Sequence, residues 1–145
     1  DGPLALSGSM ATGDAVLAAR AMGADFGYIG SAFIATEEAR ADEAYKQMIV
    51  DSSADDIVYS SLFTGVHGNY LAPSVRKAGL DPENLPESDP SKMDFGSGGN
   101  QDKKAWKDIW GCGQGIGAVG EILPAGQLVE RLVREYRAAQ DRIAT

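Results

Sequence analysis

One cysteine, one histidine and no block of basic residues narrow the chemistry open to this 145-residue chain before any motif is read. Cys112 alone builds neither an internal disulfide framework nor a cysteine-ligated centre, so a reducing compartment and no bound metal are the expectations. The 13 Lys and Arg residues are scattered and outnumbered by 21 Asp and Glu, leaving a net charge of -8. That balance argues against a nucleic-acid partner, whose backbone demands clustered positive charge. No apolar run approaches the roughly 20 residues that span a bilayer. The N-terminus carries no basic-then-apolar leader, so a cytoplasmic protein with no membrane partner is expected.

With 43% hydrophobic and 23% charged residues, the chain has the composition of an ordinary globular unit able to bury a core. Its most informative feature is a pair of glycine motifs, Leu6-Ser7-Gly8-Ser9 and Tyr28-Ile29-Gly30-Ser31, each closing an apolar run. The interval between them fits one helix. At the carboxyl end of a parallel strand a glycine removes the Cβ and lets backbone N–H groups close on phosphate oxygens. A following helix N-terminus adds positive potential. In (β/α)8 barrels this task falls to the loops after the last two strands and the start of a short extra helix, the arrangement suggested here.

Leu4 to Leu6 and Phe26 to Ile29 are the expected strands. Between them Thr12 caps a helix running to about Met22, with Ala15, Ala18, Ala19 and Met22 on its buried face and Gly23 as its C-terminal stop. Thr36, followed by Glu37 and Glu38, predicts a second helix leading to Tyr45, Met48 and Ile49. Beyond Asp51, Ile57-Val58-Tyr59 and Leu62-Phe63 suggest a short strand, Thr64 to Asn69 a turn-rich loop, and Pro73 to Ala78 a short helix closed by Gly79.

Residues 81–100 hold Pro82, Pro86 and Pro90 with Gly96, Gly98 and Gly99, and read as a surface excursion, a lid or an interface arm. Lys103 to Trp110 is an expected helix with Trp106 and Trp110 on one buried face. Gly111 to Gly120 is a glycine-rich stretch. Pro124 opens the last helix, whose stripe of Leu128, Val129, Leu132, Val133, Tyr136 and Ile143 is expected to pack on a larger body. Parallel strands need sheet neighbours on each side, and the chain enters a strand directly after Asp1-Gly2-Pro3. A fragment of a larger fold is the expectation.

With these motifs placed, the sequence resembles the nitronate monooxygenase family, formerly called 2-nitropropane dioxygenases, nearly end to end. The residues that carry the resemblance are Leu6 to Gly13, where the family usually has a Gly-Gly pair, and Gly23-Ala24-Asp25 followed by Ile29 to Glu38, similar to the family's Gly-Thr-Arg-Phe-Leu-Ala-Thr-Glu-Glu. Ala44 to Gln47, Phe63-Thr64-Gly65 and Trp110 to Gly117 are further landmarks in the family's order. The resemblance implies an FMN-dependent enzyme of α/β class. This chain would be the C-terminal part of a (β/α)8 barrel, with its last two β/α units, a smaller inserted α+β domain and a returning C-terminal helix. Residues 1–50 would supply strands seven and eight and the FMN phosphate site, residues 51–110 the second domain, and residues 111–145 the return to the barrel.

Two departures from the family pattern stand out. Ser9 replaces the second glycine, and Ala32 stands where the family commonly has Arg, so position 32 brings no cation to a phosphate. Ser7, Gly8, Ser9, Gly30 and Ser31 are the cofactor contacts the resemblance implies. The reactants would be a small-molecule nitronate or nitroalkane and O2. The catalytic base is expected outside this chain, in the missing N-terminal half of the barrel, supplied by the same or a complementary chain; a homodimer stays open.

Within the chain, His67 and Gln114 are the weak catalytic candidates. His67 reads either as a solvated loop residue or, with Tyr70, as lining a cleft between domains. Gln114 reads either as an amide that bonds flavin or substrate oxygens or as part of a turn whose glycines permit tight packing. Cys112 reads as a packing residue, Asp55-Asp56 as a solvated turn, and the tryptophans as burial rather than flavin stacking. Flavin-dependent enoyl-acyl-carrier-protein reductase and a non-catalytic phosphate-ligand-binding half-barrel are the competing functions.

Overall fold

The first extended run pairs with the second: β1 (Ala5–Ser7) and β2 (Phe26–Tyr28) are parallel, with Ala5 opposite Phe26, Leu6 opposite Gly27 and Ser7 opposite Tyr28. The structure, a computed structural model, describes residues 2–87 and 108–144. The chain divides into two compact units, Asp1–Ala54 with Gly113–Thr145, and Asp55–Cys112.

In the first unit α1 (Gly13–Ala21) is the crossover between the strands. Thr12 caps it as the sequence predicts, its Oγ1 accepting the Ala15 N–H at 3.3 Å, and Gly23 follows it with φ +96°. Its inward face differs from the expected alanine stripe. Ala19 is buried, but Ala18 is exposed and Met22 is 70% exposed. Gly13 and Val16 join Ala19 on the inward face, because Val16 lies against Gly27 of β2 and Gly13 lies against the C-terminal helix, α5 (Ala125–Ile143). That contact is close: a Cβ on Gly13 would stand 2.1 Å from the Leu132 carbonyl oxygen.

Beyond β2, Gly30 precedes a single turn, α2 (Ser31–Ile34). The helix expected from Thr36 starts later, as α3 (Glu43–Val50), capped by Asp42, whose Oδ1 accepts the Ala44 N–H at 2.8 Å. Thr36 has other duties: its hydroxyl donates to the Phe33 carbonyl at 2.8 Å, and its backbone forms a parallel bridge with Leu123. The chain is held extended there, so the helix begins at the next capping side chain. Lys46, only 2% exposed, donates to the Glu37 carbonyl at 3.2 Å and to Glu43 Oε1 at 2.8 Å, tying α3 to that extended segment.

Glu38 reaches the start of α5, where Oε2 accepts the Ala125 N–H at 2.8 Å. This bond, made to the first turn of a long helix, holds the carboxyl below its ordinary value of 4.5. A carboxyl depressed in the folded state contributes stability above its unfolded pKa and loses that contribution as pH falls through the folded one. Glu38→Gln is therefore expected to flatten the acid limb of stability against pH below about pH 4.5, measured by urea melts along a pH series.

The α5 stripe also differs from expectation. Leu128 and Ala139 are buried, whereas Val129, Val133 and Ile143 are exposed. Gly13 of α1 lies against α5 at Leu132 and Tyr136, both half-buried and on the same face as Leu128 and Ala139, and the flanking apolar positions stay outside that row.

The second unit is built on an antiparallel pair, β3 (Ile57–Ser60) and β4 (Gly68–Leu71), with Ile57 opposite Leu71 and Ser60 opposite Gly68. Gly68 and Asn69, expected in a loop, belong to β4: pairing with β3 outweighs their turn preference. Leu62 and Phe63 lie in the turn between the strands rather than in β3. Then comes α4 (Ala72–Lys77), with Gly79 at φ +84° beyond it. Tyr70, Val75 and Ile109 form this unit's core, with Val58, Phe63 and Leu85 packed on it. Asp55 and Asp56 sit in a single 3-10 turn before β3.

The Trp110 backbone N–H donates to Ser74 Oγ at 3.0 Å, and the Lys77 ammonium lies 5.5 Å from the Trp110 ring centre. Trp106, residues 103–107 of the helix expected over 103–110 and residues 88–100 of the excursion expected over 81–100 lie outside the described residues; Ile109 and Trp110, at the expected helix's end, are not helical. No helix among the described residues is long and apolar enough to cross a membrane.

Candidate functional site

The two glycine motifs leave β1 and β2 where Ser7 and Tyr28 pair, so their loops begin side by side. Ser7 Oγ donates to the Tyr28 carbonyl at 3.3 Å and fastens the two strand ends. In the first loop Gly8 has φ +103° and Ser9 φ +50°, and Ser9 is the one non-glycine residue with positive φ among the described residues. A side chain held in that region costs about 1–2 kcal/mol. Turns of this kind expose successive N–H groups on a concave edge, the geometry that receives anions. An ideal Cβ placed on Gly8 or on Gly30 would meet nothing within 4 Å, so open space faces both loops. Gly30, at φ -109°, has a conformation any residue adopts, and its missing Cβ only keeps that space clear.

A third backbone segment closes on these loops. The Gly113 N–H donates to Ser31 Oγ at 2.8 Å, and a Cβ on Gly115 would stand 2.9 Å from the Ser9 carbonyl carbon and 3.1 Å from the Met10 nitrogen. The glycines of this turn thus have a packing duty, against one loop at Gly113 and the other at Gly115. Gln114 stands between them, exposed, at the start of the 3-10 turn Gln114–Ala118. Gly115→Ala is expected to push the first loop away and cost about 1–3 kcal/mol. Thermal melting of the variant against the parent checks this.

The elements that hold the first loop were only partly readable in the sequence. Glu135 Oε2 accepts the Gly13 N–H at 2.8 Å and Arg131 Nη2 donates to the Ala11 carbonyl at 3.3 Å, both from α5. Neither residue stands out in sequence, since an Arg and a Glu four apart on a helix read as a solvated pair. Their one sequence signal is their position beside the buried row of Leu128, Leu132 and Ala139.

The remaining candidates fall elsewhere. His67 is exposed in the second unit, before β4, and stacks on Tyr59 with ring centres 4.8 Å apart. It lines a cavity of about 250 Å³ with Tyr59, Ser60, Glu83, Leu85 and Glu87. Tyr70, read as cleft-lining, is instead a core residue, 9% exposed and packed edge-on to Phe63 with ring centres 4.7 Å apart. Cys112 is buried, and desolvation pushes its thiol up to about 12, so it is an inert packing residue at neutral pH. Among the described residues no group of three or more His, Cys, Asp or Glu side chains is arranged to hold a metal.

Comparison with known proteins places this chain among one group of enzymes. The family model for nitronate monooxygenase matches residues 2–135. A nitronate monooxygenase of Paraburkholderia phytofirmans is 29% identical over 97% of this chain and 40% of the relative. Among solved structures, a nitroalkane oxidase from Streptomyces ansochromogenes aligns with TM-score 0.72 at 29% identity, over 99% of this chain and 42% of that one. FabK from Thermotoga maritima shares the fold, with TM-score 0.69 at 22% identity over 99% of this chain and 47% of that one. The chain therefore spans less than half the length of these relatives.

Proposed function

The chain belongs to the nitronate monooxygenase family, a family of oxidoreductases, and from that premise we propose that its two glycine loops hold the phosphate of FMN in an enzyme that oxidises alkyl nitronates. The observation that carries this reading is the open edge at the ends of β1 and β2, where Gly8, Ser9 and Gly30 combine a strained turn with two uncovered Cα positions. The N–H groups of Gly8, Ser9, Gly30 and Ser31 would hold the phosphate. Ser7 and Ser31 use their hydroxyls to fasten the loops. Ala32 is buried and uncharged, so backbone dipoles rather than a side-chain cation at this position would balance the phosphate. Bound there, FMN supplies an acceptor for electrons from the substrate carbanion, with O2 as the second reactant.

In this reading β1 and β2 are the last two strands of a (β/α)8 barrel, and the rest of the barrel comes from sequence outside this chain. Leu4, Phe26 and Tyr28 are 58%, 59% and 66% exposed, as strands of a sheet lacking its neighbours would be. The base that would take a proton from a neutral nitroalkane is assigned to that other part. Within this chain the weak candidates are His67, in the second unit, and Gln114, beside the glycine loops.

The intact protein tests the proposal directly. It is expected to purify with FMN and to show flavin bleaching when mixed anaerobically with an alkyl nitronate. Protein that binds no FMN overturns the reading. Rapid bleaching by NADH or NADPH, with none by nitronates, would move the activity to enoyl-acyl-carrier-protein reduction.

A further inference from the structure

We infer that Arg131 and Glu135 of α5 are positioning residues for the first glycine loop, setting the direction of its N–H groups from the far end of the chain; this rests on the reading of that loop as a phosphate cradle. The two side chains grip the main chain on either side of Thr12. Glu135 Oε2 takes the Gly13 N–H at 2.8 Å, and Arg131 Nη2 gives a bond to the Ala11 carbonyl at 3.3 Å. They also face each other, with Arg131 Nε 3.5 Å from Glu135 Oε1, an ion pair without hydrogen-bond alignment. Their side chains are 19% and 30% exposed, and Ala11 is 3% exposed, so the grip is made largely away from solvent. Such a pair is stiffer and less screened than one on an open surface.

The grip falls two residues beyond Ser9, the strained position, and Gly115 backs Ser9 and Met10 from another side. Strain of this kind persists only where the surroundings over-determine it. With Gly115 at one end and Arg131 and Glu135 at the other, residues 9–13 are held at both ends.

Glu135 has a second effect. A helix start ordinarily offers its first N–H groups to an anion. In α1 the Gly13 N–H is taken by Glu135 and the Ala15 N–H by Thr12, and the added carboxylate repels a second anion there. An anion at this edge is thereby directed to the loop amides of Gly8 and Ser9 rather than to the start of α1.

Comparing FMN with riboflavin, which has the same ring and no phosphate, isolates the effect. In the intact apoprotein, fluorescence titration is expected to show a clear preference for FMN. Glu135→Ala should weaken FMN about tenfold, the size of one lost hydrogen bond to a charged group, and leave riboflavin unchanged. Glu135→Gln keeps an acceptor for the Gly13 N–H and should recover most of the loss. Arg131→Met, which removes the other half of the grip, should act in the same direction and serves if Glu135→Ala fails to fold. An equal loss for both ligands, or no loss for FMN, overturns the inference while the cradle stands. A parent protein with no preference for FMN over riboflavin removes the cradle itself, and the inference with it.

Discussion

Gly13→Ala is expected to lower the melting temperature more than any other single-methyl addition in the first unit. The added Cβ would lie 2.1 Å from the Leu132 carbonyl oxygen, 2.3 Å from the Tyr136 nitrogen and 2.8 Å from Glu135 Cβ. Two of these three atoms are backbone in the middle of α5, a 19-residue helix, and a helix backbone does not step aside as a flexible side chain does. The α1 and α5 axes must separate, which opens the contact at Leu132 and Tyr136 and stretches the Gly13 N–H bond to Glu135. Overpacking of this kind, with a lost bond to a charged acceptor added, costs about 3 kcal/mol or more. Gly126→Ala is the matched control: a Cβ there meets nothing within 4 Å. In the first turn of α5 the alanine should be neutral or stabilise by up to about 1 kcal/mol. Thermal denaturation followed by circular dichroism separates the two, and equal melting temperatures would refute the close helix contact.

Local signals are legible wherever a side chain or a glycine acts on its own neighbourhood. Thr12 caps α1, Gly23 and Gly79 take positive φ after their helices, and the two apolar runs before Gly8 and Gly30 pair in parallel. What escapes the sequence depends on atoms far along the chain. Thr36 has the composition of a helix start, yet Leu123, from the other end of the chain, holds it extended and passes that role to Asp42. Gly68 and Asn69 read as a turn until β3 lies beside them. Period alone turns the alanines of α1 inward, whereas Gly13 and Gly27, with no side chains to score, decide which face two neighbours approach.

The same division runs through the candidate site. Gly8 and Gly30 announce themselves, because a glycine that closes an apolar run marks the end of a strand and the start of a turn. The residues that hold their loops do not: Gly113 and Gly115 belong to a stretch with several glycines of equal appearance, and Arg131 and Glu135 resemble any charged pair on a helix. Three separate parts of the chain, the loop after β1, the turn at Gly113 to Gly115 and the middle of α5, meet along residues 9–13. The backbone strain at Ser9, which a glycine there would relieve, persists because the surrounding segments hold it in place.

Gly30→Val is expected to weaken FMN binding by roughly 100-fold, the equivalent of about two phosphate hydrogen bonds, while the fold keeps its stability. The two halves of that expectation come from one geometric fact. Gly30 has φ -109° and ψ -66°, which valine adopts without the penalty of a left-handed position, and the new Cβ would meet no protein atom within 4 Å. Packing among the described residues therefore gives no reason for glycine at this position. A phosphate drawn against the Gly30 and Ser31 amides gives one, because the valine methyl groups would fill the space its oxygens need. Gly8→Val is the poorer test, since at φ +103° the substitution is strained whatever binds there. Measuring the melting temperature of the apoprotein beside the FMN titration keeps the two effects apart. An unchanged melting temperature with lost FMN supports the cradle, and unchanged FMN affinity would show that the open edge at Gly30 is not where the phosphate sits.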